Sequence, residues 1–486
     1  MISVTEDIEG TVTIRHGEGI DTDAIEDLKT LDANEDGGYH DDDLEIDDDD
    51  DTSTDGLTLK QVAMQCCKRI DVGAAVLPKP LFHPDIQDYD GSEELHDAAA
   101  SIPTPYARVL GNEFNAIVVE HHLKWNPLCV SEPGPLPSEK PSDRIGRYDF
   151  HHADSVVDWA LKRSMKVKGH VLVWHVTSPK ILEDMEPEEV RKELRRHIFT
   201  VMGHFRGRIQ VWDVVNEALA PDGTLADNVF LRKLGPSYIE DSFRWAHEAD
   251  ASAVLLYNDN KVEGIDSRKS DAFYELLADL KAKNVPVHGC GVQAHWNAAG
   301  VGWNRPPTPR SVKAQVRRLG QLGLTVNFSE MDVRVSQLPA NLRQIAQRQI
   351  FHDLLAAALS EPAFDGVWLW GFTDRHTWVT HFYHDDEPLI FDEAYARKES
   401  YYGFRDALKT IAPGGCVGGG TLLSSDIDVD GNPWGHLWMQ PDLVSHNTDE
   451  DFHGDSRPDW EQSIEVDDKE EDPRNATDSM ELPPIS

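Results

Sequence analysis

Eight short apolar runs, each followed by a stretch of helical periodicity, constrain this chain more than any other feature of it. They are VGAAV (72–76), NAIVVE (115–120), VKGHVLVW (167–174), IQVWDVVNE (209–217), AVLLYND (253–259), HGCGVQAH (288–295), TVNFSEMDV (325–333) and GVWLWGF (366–372). Most are continuously apolar rather than alternating, as expected of strands covered on both faces. Between them, 187–205 and 270–284 repeat apolar residues at three and four positions with charge opposite, and Pro286 and Gly323 punctuate helix ends. Eight strand-then-helix units at roughly 35- to 50-residue intervals predict an α/β fold, a (β/α)8 TIM barrel. An open doubly wound sheet is the alternative, but no G-x-G-x-x-G or phosphate-binding loop follows the first strand.

Charge sets the expected boundaries. The chain has 486 residues and a net charge of −41. Residues 1–56 hold 21 Asp and Glu against 2 Lys and Arg, and residues 441–486 hold 15 against 3, so the stretch between carries a net of only −10. Three segments are expected: an acidic disordered tail over 1–56, a catalytic domain over 57–413, and from 414 to 486 a Gly-rich linker with a second acidic, largely disordered tail. Nucleic acid and anionic membrane are poor partners for this balance. No apolar run approaches the roughly 18 residues a span needs. The start, MISVTEDIEG, shows no signal peptide. The five cysteines (Cys66, Cys67, Cys129, Cys290, Cys416) leave at least one unpaired within the chain and form no disulfide scaffold or zinc pattern.

Polar and aromatic residues fall at the ends of the predicted strands. Glu120 ends the second; His170 and Trp174 lie in the third; Asn216 and Glu217 end the fourth; Asn258 and Asp259 end the fifth. Gln293 and His295 end the sixth, Glu330 and Asp332 the seventh, and Trp370 lies in the eighth with Asp374 just beyond. A single such residue is an ordinary cap. Seven strands ending this way describe the mouth of a barrel, where active sites are built. Two carboxylates among His, Asn, Gln and Trp, with no metal cluster and no cofactor motif, suit glycoside hydrolysis: one delivers a proton to the leaving oxygen, the other captures the oxocarbenium-like centre. Their pKa values must differ. Tryptophan offers flat faces for sugar rings, although core packing is the ordinary reading for any one of the 13, Trp212 and Trp245 included.

Seven motifs run in order along 57–412: FNAIVVEHHLKW (114–125), GHVLVWH (169–175), WDVVNEA (212–218), LYNDN (256–260), GVQAH (291–295), FSEMDV (328–333) and WGFTDRHTW (370–378). Together they resemble glycoside hydrolase family 10, the endo-β-1,4-xylanase family of clan A. The resemblance implies a retaining enzyme with Glu217 as general acid/base and Glu330 as nucleophile, their carboxyl groups about 5–5.5 Å apart. It implies that Asn216 meets the sugar 2-hydroxyl and that His295 contacts Glu330 with Asp332 behind it. A neutral imidazole there agrees with this, since it can orient the nucleophile while Asp332 selects its tautomer. Lys124, His170, Trp174, Gln293 and Trp370 would line the subsite of the reacting sugar, and Glu120 and Trp378 the next one outward. The implied partner is a β-1,4-linked polysaccharide, xylan or xylo-oligosaccharides, met by an extracellular monomer without cofactor.

The chain departs from the family pattern at His121 (for Asn), Thr177 (for Gln), Asn260 (for Tyr), Thr377 (for Ser) and Lys398-Glu399 (for Lys-Pro). These changes bear on substrate preference and leave the reacting-sugar residues in place. Two other readings remain open at this point: a glycan-binding pseudoenzyme on the same barrel, and a same-clan hydrolase of another β-glycan. DANEDGGYHDDD (32–43) has calcium-loop spacing, for which chance is the simpler reading in so Asp-rich a segment; DIDVDG (426–431) starts the same way but carries Leu437 at the twelfth position. Asn475-Ala476-Thr477 is a glycosylation sequon that matters only on export.

Overall fold

The computed structural model describes residues 2–6, 12–16, 56–83, 103–130, 145, 147–300, 305–383 and 385–412. The chain divides into two units, residues 1–53 and 54–486. In the first, Ile2–Glu6 and Val12–His16 pair as an antiparallel hairpin, Ile2 opposite His16 and Glu6 opposite Val12. ISVTE and VTIRH are rich in β-branched residues, which suits them to strands, and only Glu6, Asp7 and Glu9 of the acids precede Val12. The spacings at 32–43 and 426–431, the sequon at 475 and the tail 414–486 lie outside the described residues.

The second unit holds the barrel. Its strands are β1 (Asp71–Val76), β2 (Ala116–Val119), β3 (Lys166–Gly169), β4 (Val211–Asn216), β5 (Val254–Asp259), β6 (Gly289–Val292), β7 (Thr325–Arg334) and β8 (Phe364–Leu369). Each pairs in parallel with the next, and β8 returns to β1 with Gly366 opposite Asp71, so the sheet closes. Every residue of β1 and β4 is buried, as covering on both faces requires. The main deviation from the predicted strands is in the third. Regular pairing stops at Gly169, and a cis peptide joins His170 to Val171. The chain returns to β4 through the Leu172 and Val173 amides, which donate to the Asp213 and Val214 carbonyls at 3.1 and 2.9 Å, and a bridge of Val173 to Val215.

The barrel interior alternates bulk and its absence. A side chain at Gly169 would begin 2.2 Å from the Trp212 ring, which fills the space instead. Trp212 is thus core. Outside, the helix Pro187–His204 starts with Pro at its first turn and a Glu186/Glu189 capping box, and buries Val190, Leu194, Ile198 and Val201 on one stripe. Ser267 caps Arg268–Ala282 by accepting from the Ser270 amide. The seam between β8 and β1 is fastened by Glu113, whose buried carboxylate accepts from the Leu59 amide, Tyr401 Oη (both 2.9 Å) and Arg397 (2.6 Å). Among the described residues, Cys66, Cys129 and Cys290 are free thiols and Cys67 is disulfide-bonded.

Candidate active site

The strand order carries the polar strand ends to one mouth. Glu217 follows β4 in a left-handed conformation (φ 55°), its amide bonded to the Asn258 carbonyl at 3.0 Å. A non-glycine residue pays strain in that region, commonly where function fixes the geometry. Its side chain is held at both oxygens. Trp174 Nε1–H donates to Oε2 at 3.0 Å and Gln293 Nε2–H to Oε1 at 2.7 Å. Glu330, on β7, is likewise held at both: Asn258 Nδ2–H donates to Oε1 at 2.7 Å, and His295 Nε2 lies 3.2 Å from Oε2. Each glutamate is only 6% exposed, so both carboxyl groups sit where hydrogen bonds and neighbouring charges act strongly.

The two carboxylates are joined by one chain of amides. Gln293 Nε2 also reaches Asn216 Oδ1 at 3.4 Å, and Asn258 Nδ2 donates to the same oxygen at 2.9 Å. Asn216 thereby spends its oxygen inside the network. Behind Glu330, His295 Nδ1 is 2.7 Å from Asp332 Oδ2, which also accepts from Trp378 Nε1 at 2.8 Å. On the other side, Lys124 Nζ stands 5.0 Å from the Trp174 ring centre and 5.6 Å from that of Trp370, and the His170 ring meets Trp370 edge-on at 5.1 Å. Beneath, Asp213 accepts from Lys168 Nζ at 3.1 Å and faces His170 Nδ1 at 3.0 Å.

Electrostatics separate the residues further. Burial raises the Glu330 pKa, but the His295 hydrogen bond and the charges of His170 and His295 outweigh both burial and Glu217, and hold it at about 2. Burial depresses His295, yet Asp332 and then Glu330 overcome this and carry it up to about 10. The neutral imidazole expected from the sequence is therefore replaced by an imidazolium, because both ring nitrogens face carboxylates and each needs a proton to donate. Burial raises Glu120, Lys124 pulls it back and Glu330 raises it again, leaving it at about 7. Burial, Lys124 and His122 push His121 down to about 3, so it stays neutral. Among the described residues, no group of three His, Cys, Asp or Glu is arranged to hold a metal ion.

The seven motifs therefore meet around one pair of carboxylates on a closed barrel, and residues 91–407 match glycosyl hydrolase family 10. The chain belongs to this family. It is 35% identical over 309 residues to endo-1,4-beta-xylanase B of Thermotoga neapolitana, covering 63% of this chain and 83% of that protein. It is 34% identical over 317 residues to a beta-1,4-xylanase of Dictyoglomus thermophilum, with 61% and 83% covered. The crystal structure of xylanase 10B from Thermotoga petrophila in complex with xylobiose superposes with a TM-score of 0.61 at 32% identity, covering 73% of this chain and 98% of that one.

Within the family 10 barrel, the structure gathers Glu217, Glu330, Asn216, Gln293, His295, Asp332, Trp174 and Trp378 into one hydrogen-bonded network. Lys124, His170 and Trp370 join it by ring contacts, and Glu120 by the charges acting on it. Asn258 was visible as a strand end and within the LYNDN motif, but not as a site residue. Of the departures, Asn260 accepts from Lys269 Nζ at 2.8 Å and Thr177 is buried in a 3-10 turn. Lys398, where the family pattern continues with Pro, donates to Asp374 at 2.6 Å.

Proposed function

We propose that this chain is a retaining endo-β-1,4-xylanase that cleaves internal xylan linkages by double displacement. The observation that carries the reading is the pair of buried carboxylates, Glu217 after β4 and Glu330 on β7, each fixed at both oxygens by separate donors and linked through Gln293, Asn216 and Asn258. The low pKa of Glu330 suits a nucleophile that must be ionised at any working pH. It attacks the anomeric carbon while Glu217 gives its proton to the departing glycosidic oxygen. Glu217 then takes a proton from water, whose oxygen displaces Glu330 and restores it as carboxylate. Because Asn216 Oδ1 is occupied, its Nδ2 is the group left for the sugar 2-hydroxyl.

Lys124, His170, Trp174, Gln293 and Trp370 would enclose the reacting sugar, with Glu120 and Trp378 at the next sugar outward. The xylanase names of the relatives and the xylobiose bound by the Thermotoga petrophila enzyme support xylo-oligosaccharide as the substrate class. Incubation with xylan, mixed-linkage glucan, cellulose and a chromogenic β-xylobioside tests the reading. Xylan should be the fastest polymer, and the first product seen by proton NMR should be the β-anomer. Binding of xylan without turnover would make the chain a pseudoenzyme, a clear preference for glucan would move its substrate, and an initial α-anomer would end the retaining assignment.

A further inference from the structure

Asn258 is fully buried on β5, and what its amide does depends on which way it is turned. Nδ2 donates to Asn216 Oδ1 at 2.9 Å and to Glu330 Oε1 at 2.7 Å, while Oδ1 accepts from Ser329 Oγ at 2.6 Å. An amide turned the other way would set oxygen against two acceptors. The Ser329 hydroxyl satisfies the one atom that the productive orientation leaves facing inward. Adjacent residues of a regular strand face opposite ways, yet Ser329 and Glu330 both reach Asn258. The register of β7 against β8 shifts between Phe328 and Met331, and that irregularity spans this pair.

Between β5 and β7 lies β6, and the contact passes over it at Gly291. A side chain there would begin 2.2 Å from Asn258 Oδ1 and 3.0 Å from Ser329 Oγ. The absent side chain is the opening through which a hydroxyl of β7 meets an amide of β5. We propose that Ser329 is a positioning residue for the Glu330 carboxylate, acting through Asn258, and that Gly291 is needed to admit the contact. Without the hydroxyl, Asn258 Oδ1 is buried unpaired, its amide loses its fixed aim, and Glu330 loses part of the hydrogen bonding that favours its ionised form. The inference rests on Glu330 being the nucleophile.

The test is the pH dependence of kcat and KM on an aryl β-xylobioside for the unsubstituted chain, Ser329→Ala, Ser329→Thr, Gly291→Ala and the Ser329→Ala/Gly291→Ala pair. Ser329→Ala should lower kcat on the order of 10-fold with KM within about 2-fold, and move the acid limb of kcat/KM to higher pH. Ser329→Thr, which keeps the hydroxyl, should recover most of the loss. Gly291→Ala should resemble Ser329→Ala, and the double variant should be little worse than either, because both break one contact. If Ser329→Ala yields no folded protein, Ser329→Cys, of similar size and a weaker donor, must show the same displaced limb. Near-normal kcat with an unmoved limb, equal impairment by Thr and Ala, or additive losses in the double variant would overturn the proposal. Turnover by the unsubstituted chain tests the function itself; if that is absent, the function fails first and the role of Ser329 falls with it.

Discussion

Replacing His295 by Asn should expose how much of the acidity of Glu330, the proposed nucleophile, is made by its neighbours. Glu330 stands at about 2, against 4.5 for an ordinary glutamate. At 1.36 kcal/mol per pH unit, its surroundings favour the carboxylate by roughly 3 kcal/mol. Burial and the Glu217 charge work against this, and of the three contributions that lower it, two come from His295 and one from His170. With the imidazolium gone, only His170 and the Asn258 amide donor still oppose burial and Glu217, and the Glu330 pKa should return to at least its ordinary 4.5. The assay is kcat/KM against pH on an aryl β-xylobioside, whose good leaving group makes proton donation unimportant, so that the acid limb reports the free enzyme's nucleophile. At pH 4 the variant should hold less than about a quarter of its Glu330 ionised, against nearly all in the unsubstituted chain. The acid limb should move up by at least about 2.5 pH units, with circular dichroism at each pH showing that both proteins remain folded. Coincident acid limbs would refute the claim that His295 sets the charge state of Glu330.

Further outcomes follow from the same contacts. Glu330→Ala should abolish turnover, and azide should restore it as an α-glycosyl azide; Glu217→Ala should slow unactivated substrates far more than aryl glycosides, and equal losses on both would reverse the assigned roles. His295, at about 10 when folded and 6.5 ordinarily, contributes stability that is fully present below pH 6.5 and lost as pH rises through about 10; the urea midpoint of the unsubstituted chain should therefore fall more steeply over this window than that of His295→Asn, and parallel slopes would contradict it. Gly169→Ala would set its Cβ 2.2 Å from the Trp212 ring and should cost about 1–3 kcal/mol in urea unfolding; an unchanged midpoint would mean the barrel interior has slack.

The barrel was legible because its strands are buried on both faces, which writes them as continuous apolar runs with polar ends. Less legible was anything decided by what lies across the barrel. His170 and Trp174 read as strand because VKGHVLVW ends in an apolar run and is rich in β-branched residues, yet regular pairing stops at Gly169. His295 was placed between Glu330 and Asp332 by the resemblance and read as a neutral ring whose tautomer Asp332 selects; the charge on it follows from both ring nitrogens lying within hydrogen-bond reach of a carboxylate. Asn258 and Ser329 lie 71 positions apart and reveal their connection only through the gap at Gly291. The hairpin at Ile2–Glu6 and Val12–His16 was hidden by averaging its β-branched residues with the acid that follows.

The most direct test of the central claim is to trap the reaction halfway. Treating the protein with an activated 2-deoxy-2-fluoro-β-xylobioside and mapping its peptides by mass spectrometry should find one added glycosyl group, on the peptide carrying Glu330 and on that side chain. Label on Glu217 or elsewhere, or no label from a protein that turns over xylan, would contradict the account.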